Sequence, residues 1–206
     1  MNKNILTFDE WAILGKDAGM EKGHHASVSH MLKIIFYEYE KKKKKYSAID
    51  FGCGNGWVVR KLKDHSLCSL VHGIDGSKEM IKKAQAYDME GLYFNENIEL
   101  WKNEYTYDVI FSMETLYYFK NPEIIIKNIY NNVFNQNGMI VIGVDHYAEN
   151  TESLNWGAQF NLDITTLSID DWCSAFKNVG FEDVQYKQVE PTNNWQGTLI
   201  ITGRKK

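Results

Sequence analysis

Residues 48–57, AIDFGCGNGW, hold the residue types and spacing with the most specific chemistry in this 206-residue sequence. An apolar run ends in Asp50, and glycine then recurs at Gly52, Gly54 and Gly56. Such a loop turns sharply and brings backbone close to a ligand with no Cβ in the way. A second apolar run ends in Asp75, the place from which a carboxylate accepts both hydroxyls of a ribose. The pattern is Asp-x-Gly-x-Gly-x-Gly. Trp57 stands where a dinucleotide loop needs its third glycine, which argues against a nicotinamide-dependent oxidoreductase. The Gly-Lys-Ser/Thr ending of a phosphate-binding P-loop is missing as well. An acid at its head and no lysine to grip phosphate suit a nucleoside-like ligand with a cationic amino-acid end.

Three further stretches keep the same order along the chain: GIDGSKEMIKKA around Asp75, YDVIFSMETLYYF from Tyr107, and NGMIVIG from Asn137. Together with AIDFGCGNG they resemble the class I S-adenosylmethionine (SAM) methyltransferases, in particular the large group that modifies small molecules. The resemblance runs over residues 47–203. It implies SAM as cofactor and S-adenosylhomocysteine (SAH) as product. The cofactor residues it implies are Asp50, Gly52, Cys53, Gly54, Gly56, Asp75, Gly76 and Met80, with Asp75 on the ribose and Met80 in the adenine wall. Asn97, with Ile98 beside it, takes the place of the third-strand acid that meets the adenine amine. Ser112, Met113 and His24 complete the expected cofactor set. The stretches WAILGKDAGMEKGHHASVSHML and DHYAENTESLNW are similar to a subgroup of bacterial and archaeal methyltransferases, and no acceptor comes with that match.

Methyl transfer from a sulfonium is an in-line displacement with an activated electrophile. The protein's tasks are alignment, exclusion of water and, for a weak nucleophile, removal of a proton. The catalytic candidates are His146, whose pKa is tunable, Tyr117 and Glu149. Tyr147, Asn150 and Trp156 are candidates for a lid and substrate wall. His24, His25 and His146 have no metal-ligand spacing, so no metal is expected. The reading is methyl transfer to O or N of a small-molecule acceptor. The alternative is a catalytically silent SAM/SAH-binding protein acting as a partner subunit or sensor.

These residues need elements to position them. Apolar residues at helical spacing predict helix over most of 8–45. Short apolar strands follow at 47–51, 67–75, 92–94, 107–112 and 139–145, alternating with helices at 56–64, 77–87 and 122–134. Ser77 and Ser168 are N-caps, and Pro122 sits in a first helical turn. A helix from Ser168 ends at Gly180, and 181–189 with 195–202 form an antiparallel hairpin. Strands alternating with helices mean an α/β, doubly wound, mostly parallel sheet. The resemblance gives seven strands in the order 3-2-1-4-5-7-6. The expected organisation is a single domain over 1–206. It comprises a helical N-terminal cap (1–45), a SAM-binding core (46–145), a lid or substrate segment (146–167) and a C-terminal helix with a strand hairpin (168–206).

Composition bounds the rest. Lys+Arg 23 against Asp+Glu 27 gives −4, which argues against a nucleic-acid partner gripped through phosphates. The dense basic run at 41–45 reads as a solvated helix end or linker. A hydrophobic fraction of 44% with only two prolines excludes dominant disorder. Cys53, Cys68 and Cys173 form no CxxC pair, so a reducing, cytoplasmic setting fits. No secretory signal or membrane segment is read. The expected partner is the small-molecule acceptor, and the expected state is monomer or homodimer.

Overall fold

The computed structural model describes residues 2–102 and 104–206. The predicted N-terminal helix is two helices, α1 (Lys3–Ile13) and α2 (Asp17–Lys42). The break comes from Gly15, at φ +73°. Lys16 N–H donates to the Trp11 carbonyl at 2.9 Å and Gly15 N–H to the Ala12 carbonyl at 3.1 Å. This is the left-handed close that glycine favours after a helix. Helix α2 runs into the basic residues and ends on Lys43, with 40–45 exposed, as a solvated helix end should.

The remaining elements are β1 (Tyr46–Phe51), α3 (Trp57–Lys63), β2 (Cys68–Asp75), α4 (Lys78–Tyr87), β3 (Leu92–Asn95), β4 (Tyr107–Met113), α5 (Pro122–Asn132), β5 (Phe134–Val144), α6 (Trp156–Phe160), α7 (Ile169–Val179), β6 (Glu182–Val189) and β7 (Thr198–Arg204). The seven-stranded sheet has the order β3-β2-β1-β4-β5-β7-β6, as expected. The chain divides into two compact units, at residues 1–102 and 103–206.

In the first unit, β1 pairs parallel with β2 and β2 with β3. The register sets Asp50 opposite Gly73 and Asp75 opposite Asn95. Ala48, Ile49 and Phe51 are buried, the continuous apolar run of a strand covered on both faces. Ser77 caps α4, its hydroxyl accepting the Met80 N–H at 3.1 Å. The loop between β1 and α3 needs its glycines. Gly56 has φ +77°, and a Cβ there would lie 2.7 Å from the Tyr93 ring. Gly56→Ala therefore combines backbone strain with a clash, and should lower stability by roughly 2–4 kcal/mol. Urea denaturation reads this as a clear fall in midpoint; an unchanged midpoint contradicts the packing described.

In the second unit, β4 and β5 pair parallel, with Met113 opposite Gly143. Strands β5, β7 and β6 then run antiparallel in turn, which is the expected hairpin. Strand β5 begins at Phe134, five residues before the predicted start, and Asn137 at φ +63° is taken up within it. Its N–H donates to the Lys205 carbonyl at 2.8 Å, so the turn chemistry of Asn137-Gly138 lies inside an edge of pairing. Helix α5 starts at Asn121-Pro122, and α7 carries a capping box between Ser168 and Asp171. Residues 145–168, weak in periodicity, hold a 3₁₀ turn at Thr151–Ser153 and the short α6.

Candidate functional site

Asp50 closes β1 as a carboxylate that is only 2% exposed. Among the described residues no hydrogen bond to its side chain is found, and the charge bearing on it is Asp75. Burial first, and then the like charge of Asp75, push its proton affinity well above the usual carboxylate range. A buried acid facing another acid is costly until a cation arrives. The residues thus fit a ligand with a positive end.

Asp75 is held for a second task. One oxygen accepts the Gly54 N–H at 2.9 Å and the other the Ser77 N–H at 2.8 Å. Each oxygen keeps a lone pair, and the side chain is half-buried at the end of β2. Burial raises its pKa, the two N–H bonds oppose this, and Asp9 adds to the rise. Gly54, at φ +52°, has nothing within 4 Å of where a Cβ would stand. Its backbone therefore borders open space that only glycine leaves free. Cys53 is 3% exposed with its thiol pKa raised by burial and the two acids, so it is inert packing. Gly76 lies under Ile5 of α1, whose side chain comes within 2.7 Å of a built Cβ. Met80 is buried in the first turn of α4. Asn97 and Ile98 follow β3, half-buried, with the Asn97 side chain accepting the Glu99 N–H at 3.0 Å. His24 lies half-buried on α2.

Sequence reasoning missed a set of polar residues that hold this site together. Asp17, buried at the start of α2, accepts from the Asn55 side chain at 3.0 Å and from the Lys83 ammonium at 2.6 Å. The Lys83 and Asn55 bonds more than offset burial and hold its pKa below the usual value. Asn55 sits in the glycine loop. Its side-chain oxygen accepts the Trp57 N–H at 3.2 Å, and its carbonyl accepts from Arg60 at 2.8 Å. His25 of α2 stacks on Trp57, ring centroids 6.3 Å apart. Asp9 of α1 accepts from the Ser77 hydroxyl at 2.6 Å and the Glu79 N–H at 3.0 Å, so it shares the cap of α4. Asn95 donates to the carbonyls of Asp75 and Gly76 at 3.2 and 3.1 Å. Gly15 signalled the helix break; nothing local marked Asp9 or Asp17. Asp17→Ala should loosen the glycine loop, costing about 1–3 kcal/mol of stability and weakening SAH binding about tenfold. Paired thermal unfolding and SAH titration check this; full SAH affinity would show that the loop holds its shape alone.

In the second unit, Ser112 and Met113 are buried at the end of β4. Glu114 follows at φ +56°. Its carboxylate accepts the Tyr117 hydroxyl at 2.6 Å and the Asp145 N–H at 2.5 Å. The Tyr117 and Tyr118 hydroxyls are 3.1 Å apart. Tyr117 is fully buried, and burial with the Glu114 charge pushes its pKa well above the usual phenol value. At neutral pH it is a hydrogen-bond donor. His146 is 1% exposed, with Nδ1 3.0 Å from the Ser153 carbonyl and Nε2 2.7 Å from the Thr166 hydroxyl. The carbonyl can only accept, so Nδ1 carries the proton and Nε2 accepts from Thr166. Burial lowers its pKa and keeps the ring neutral. Both nitrogens are thus engaged within the segment that follows β5. Tyr117 and His146 come together, ring centroids 5.5 Å apart. Glu149 stands at the start of α7 instead, both its oxygens 3.1 Å from the Ile169 N–H. Asn150 and Tyr147 tie the segment to the connection before β7. The Asn150 side chain accepts the Gln196 N–H at 3.2 Å, and the Tyr147 hydroxyl donates to the Gly197 carbonyl at 2.9 Å. Tyr147 is therefore buried structure, while Trp156 stacks on Trp195 at 5.8 Å.

A glycine loop after β1, an acid closing β2 and the strand order define the class I SAM-dependent methyltransferase architecture. Residues 24–186 match the Methyltransferase domain family, and the chain belongs to it. A malonyl-[acyl-carrier protein] O-methyltransferase of Ilyobacter polytropus is 26% identical over 159 residues, 74% of this chain and 56% of that protein. The chain spans about half the length of the curated relatives it matches. A solved complex of the Haloferax volcanii Trm112 methyltransferase activator with a methyltransferase aligns at TM-score 0.81 and 26% identity, covering 96% of both chains. The N-methyltransferase NodS of Bradyrhizobium japonicum, solved with SAH, shares the fold at TM-score 0.68 and 16% identity, covering 86% of this chain and 84% of that one. The cofactor of this class is SAM. No helix among the described residues is long and apolar enough to cross a membrane.

Proposed function

We propose that the chain is a SAM-dependent methyltransferase that moves a methyl group to O or N of a small-molecule acceptor. The observation that carries this reading is Asp50, a buried carboxylate with an acid for a neighbour and a glycine loop around it. In this reading Asp50 takes the amino group of the methionine end, Asp75 takes the ribose hydroxyls, and the Gly52–Gly56 backbone lies along the ligand. Bound SAM supplies a methyl on a sulfonium, which an acceptor displaces in line. The chain's part is to fix that line and exclude water. Tyr117, held neutral, gives its hydroxyl proton to Glu114 and so orients that carboxylate. His146 fixes the segment after β5 through Ser153 and Thr166, and its Nε2 reaches a proton only through the Thr166 hydroxyl. Incubation with methyl-labelled SAM and a cell extract separated into small-molecule, protein and RNA fractions tests the reading. Label in the small-molecule fraction supports it; label confined to protein or RNA refutes the acceptor class.

The likeness to the Haloferax volcanii complex favours a second reading, in which the chain works with a Trm112-type activator. Co-expression with such a protein should then raise both the melting temperature and SAH formation. A chain indifferent to it stands alone.

A further inference from the structure

Asp75 is held in place by way of the N-terminal helix. Its Oδ1 accepts the Ser77 N–H and its Oδ2 the Gly54 N–H. Ser77 is buried. Its hydroxyl oxygen accepts the Met80 N–H, and its hydroxyl proton goes to Asp9 Oδ1 at 2.6 Å. The same Asp9 oxygen accepts the Glu79 N–H at 3.0 Å. A carboxylate from α1 therefore closes the first turn of α4, where a helix presents unpaired N–H groups and favours negative charge. Asp9, Ser77, Asp75 and Gly54 form one connected line of hydrogen bonds from α1 to the glycine loop.

The apolar half of this dock lies on the same turn. Ile5 rests on the Gly76 backbone, where a Cβ would come within 2.7 Å of its side chain. Helix α1 is otherwise lightly held. Of its eleven residues, Asn4 and Ala12 are buried and the rest are half-buried or exposed. A helix of this length is marginal alone in water, so its order depends on the dock. Behind it, Gly15 at φ +73° has nothing within 4 Å of where a Cβ would stand, and Ile13 and Leu14 are exposed. Helix α2 is tied down separately, through Asp17 to Asn55 and Lys83. Segments of this kind open locally at low free energy.

We propose that Asp9 is a positioning residue of the cofactor site, and that docking of α1 and binding of the cofactor strengthen each other. This rests on the methyltransferase reading above. With α1 docked, Ser77 is fixed and its N–H holds Asp75 in the orientation that takes the ribose hydroxyls. With α1 swung away about Gly15, the Ser77 hydroxyl and the Glu79 N–H lose their acceptor, and the turn that aims Asp75 loosens. Linkage makes the effect reciprocal: what docking adds to cofactor affinity, the cofactor adds to docking. Asp9 touches no ligand in this scheme and acts through Ser77.

Hydrogen exchange of the α1 amides in the full chain, read by mass spectrometry with and without saturating SAH, tests this beside calorimetric SAH titration. SAH should slow α1 exchange in the unaltered chain. Asp9→Ala should weaken SAH binding about tenfold, a coupling of ordinary size. In that variant α1 should exchange faster and no longer respond to SAH. Asp9→Asn keeps an acceptor oxygen for Ser77 and Glu79, and should restore most of the affinity and the response. Full SAH affinity in Asp9→Ala, a response to SAH that survives in it, or an Asp9→Asn variant no better than alanine would each overturn the proposal. If Asp9→Ala does not fold, Ile5→Ala decides, because it loosens the same dock from its apolar side. Faster α1 exchange with weaker SAH binding supports the coupling; faster exchange at unchanged affinity overturns it. SAH that binds the unaltered chain without slowing α1 exchange removes this proposal alone, whereas a folded chain that binds no SAH removes the methyltransferase reading and this proposal with it.

Discussion

Asp50→Asn will make the ligand-free protein more stable and the cofactor complex weaker. In the ligand-free fold, ionised Asp50 is buried, with Asp75 as the charge bearing on it and no cation beside it among the described residues. Its folded pKa lies above the unfolded value, so through the window between them the folded state holds more protons than the unfolded state. Stability from this group therefore falls as pH rises through that window, and the penalty is fully present above the folded pKa. An asparagine of the same shape carries no charge to desolvate. Thermal unfolding at neutral pH should show a gain of about 1–3 kcal/mol. The same change deletes the carboxylate that would pair with the ligand's ammonium. Charge-assisted bonds of this kind are worth about 1.5–3 kcal/mol, so SAH affinity should drop roughly 10- to 100-fold. The pH gradient of stability should also flatten in the variant. A variant that loses stability, or keeps its affinity, would show that Asp50 serves the fold rather than the ligand.

Asp75→Ala should do the opposite to the ligand-free protein while doing the same to binding. This carboxylate accepts the Gly54 and Ser77 N–H groups, so its removal leaves two donors at the turn without their acceptor. Relief of the repulsion with Asp50 offsets part of that loss. The net expectation is a loss of about 1–2 kcal/mol of stability. SAH affinity should fall by a larger factor, roughly 100-fold or more, because the loop loses its shape and the ribose its acceptor. Asp75→Asn is the sharper variant. It keeps one acceptor oxygen and should retain more stability than alanine, yet it should still bind SAH poorly. Equal SAH affinity in the alanine variant and the parent would remove Asp75 from the cofactor site. The opposite signs for positions 50 and 75 on stability, with the same sign on binding, are hard to produce by a general loosening of the fold.

What could be read from sequence was what is written locally. Asp50 and the glycines at 52, 54 and 56 announce a turn because glycine takes that positive-φ backbone at the least cost. Ser77, Pro122 and Ser168 mark helix starts because their chemistry acts within four residues. The buried strands β4 and β5 are legible as continuous apolar runs. The apolar spacing continues across the break between α1 and α2, so periodicity hides a boundary that Gly15 marks. The extra length of β5 was hidden because Asn137-Gly138 is good turn chemistry, and the partner that turns it into paired strand, Lys205, is far away in sequence. The bonds of Asp9 to α4 and of Asp17 to Asn55 span 70 and 38 residues. No periodicity or spacing encodes such a pairing; it exists only once the helices have packed. The same holds for His146, whose residue type suggests proton chemistry while its two partners, Ser153 and Thr166, commit both nitrogens to the segment's own structure.

Isothermal titration of the purified chain with SAH, repeated with NAD and in buffers of different ionisation enthalpy, tests the central claim most directly. The account predicts one SAH site with a dissociation constant near or below about 1 μM, on the order of −8 kcal/mol. It also predicts proton release on binding at mildly acidic pH, as Asp50 ionises to meet the ligand's ammonium, and no heat with NAD. A folded chain that binds no SAH, or that binds NAD instead, would contradict it.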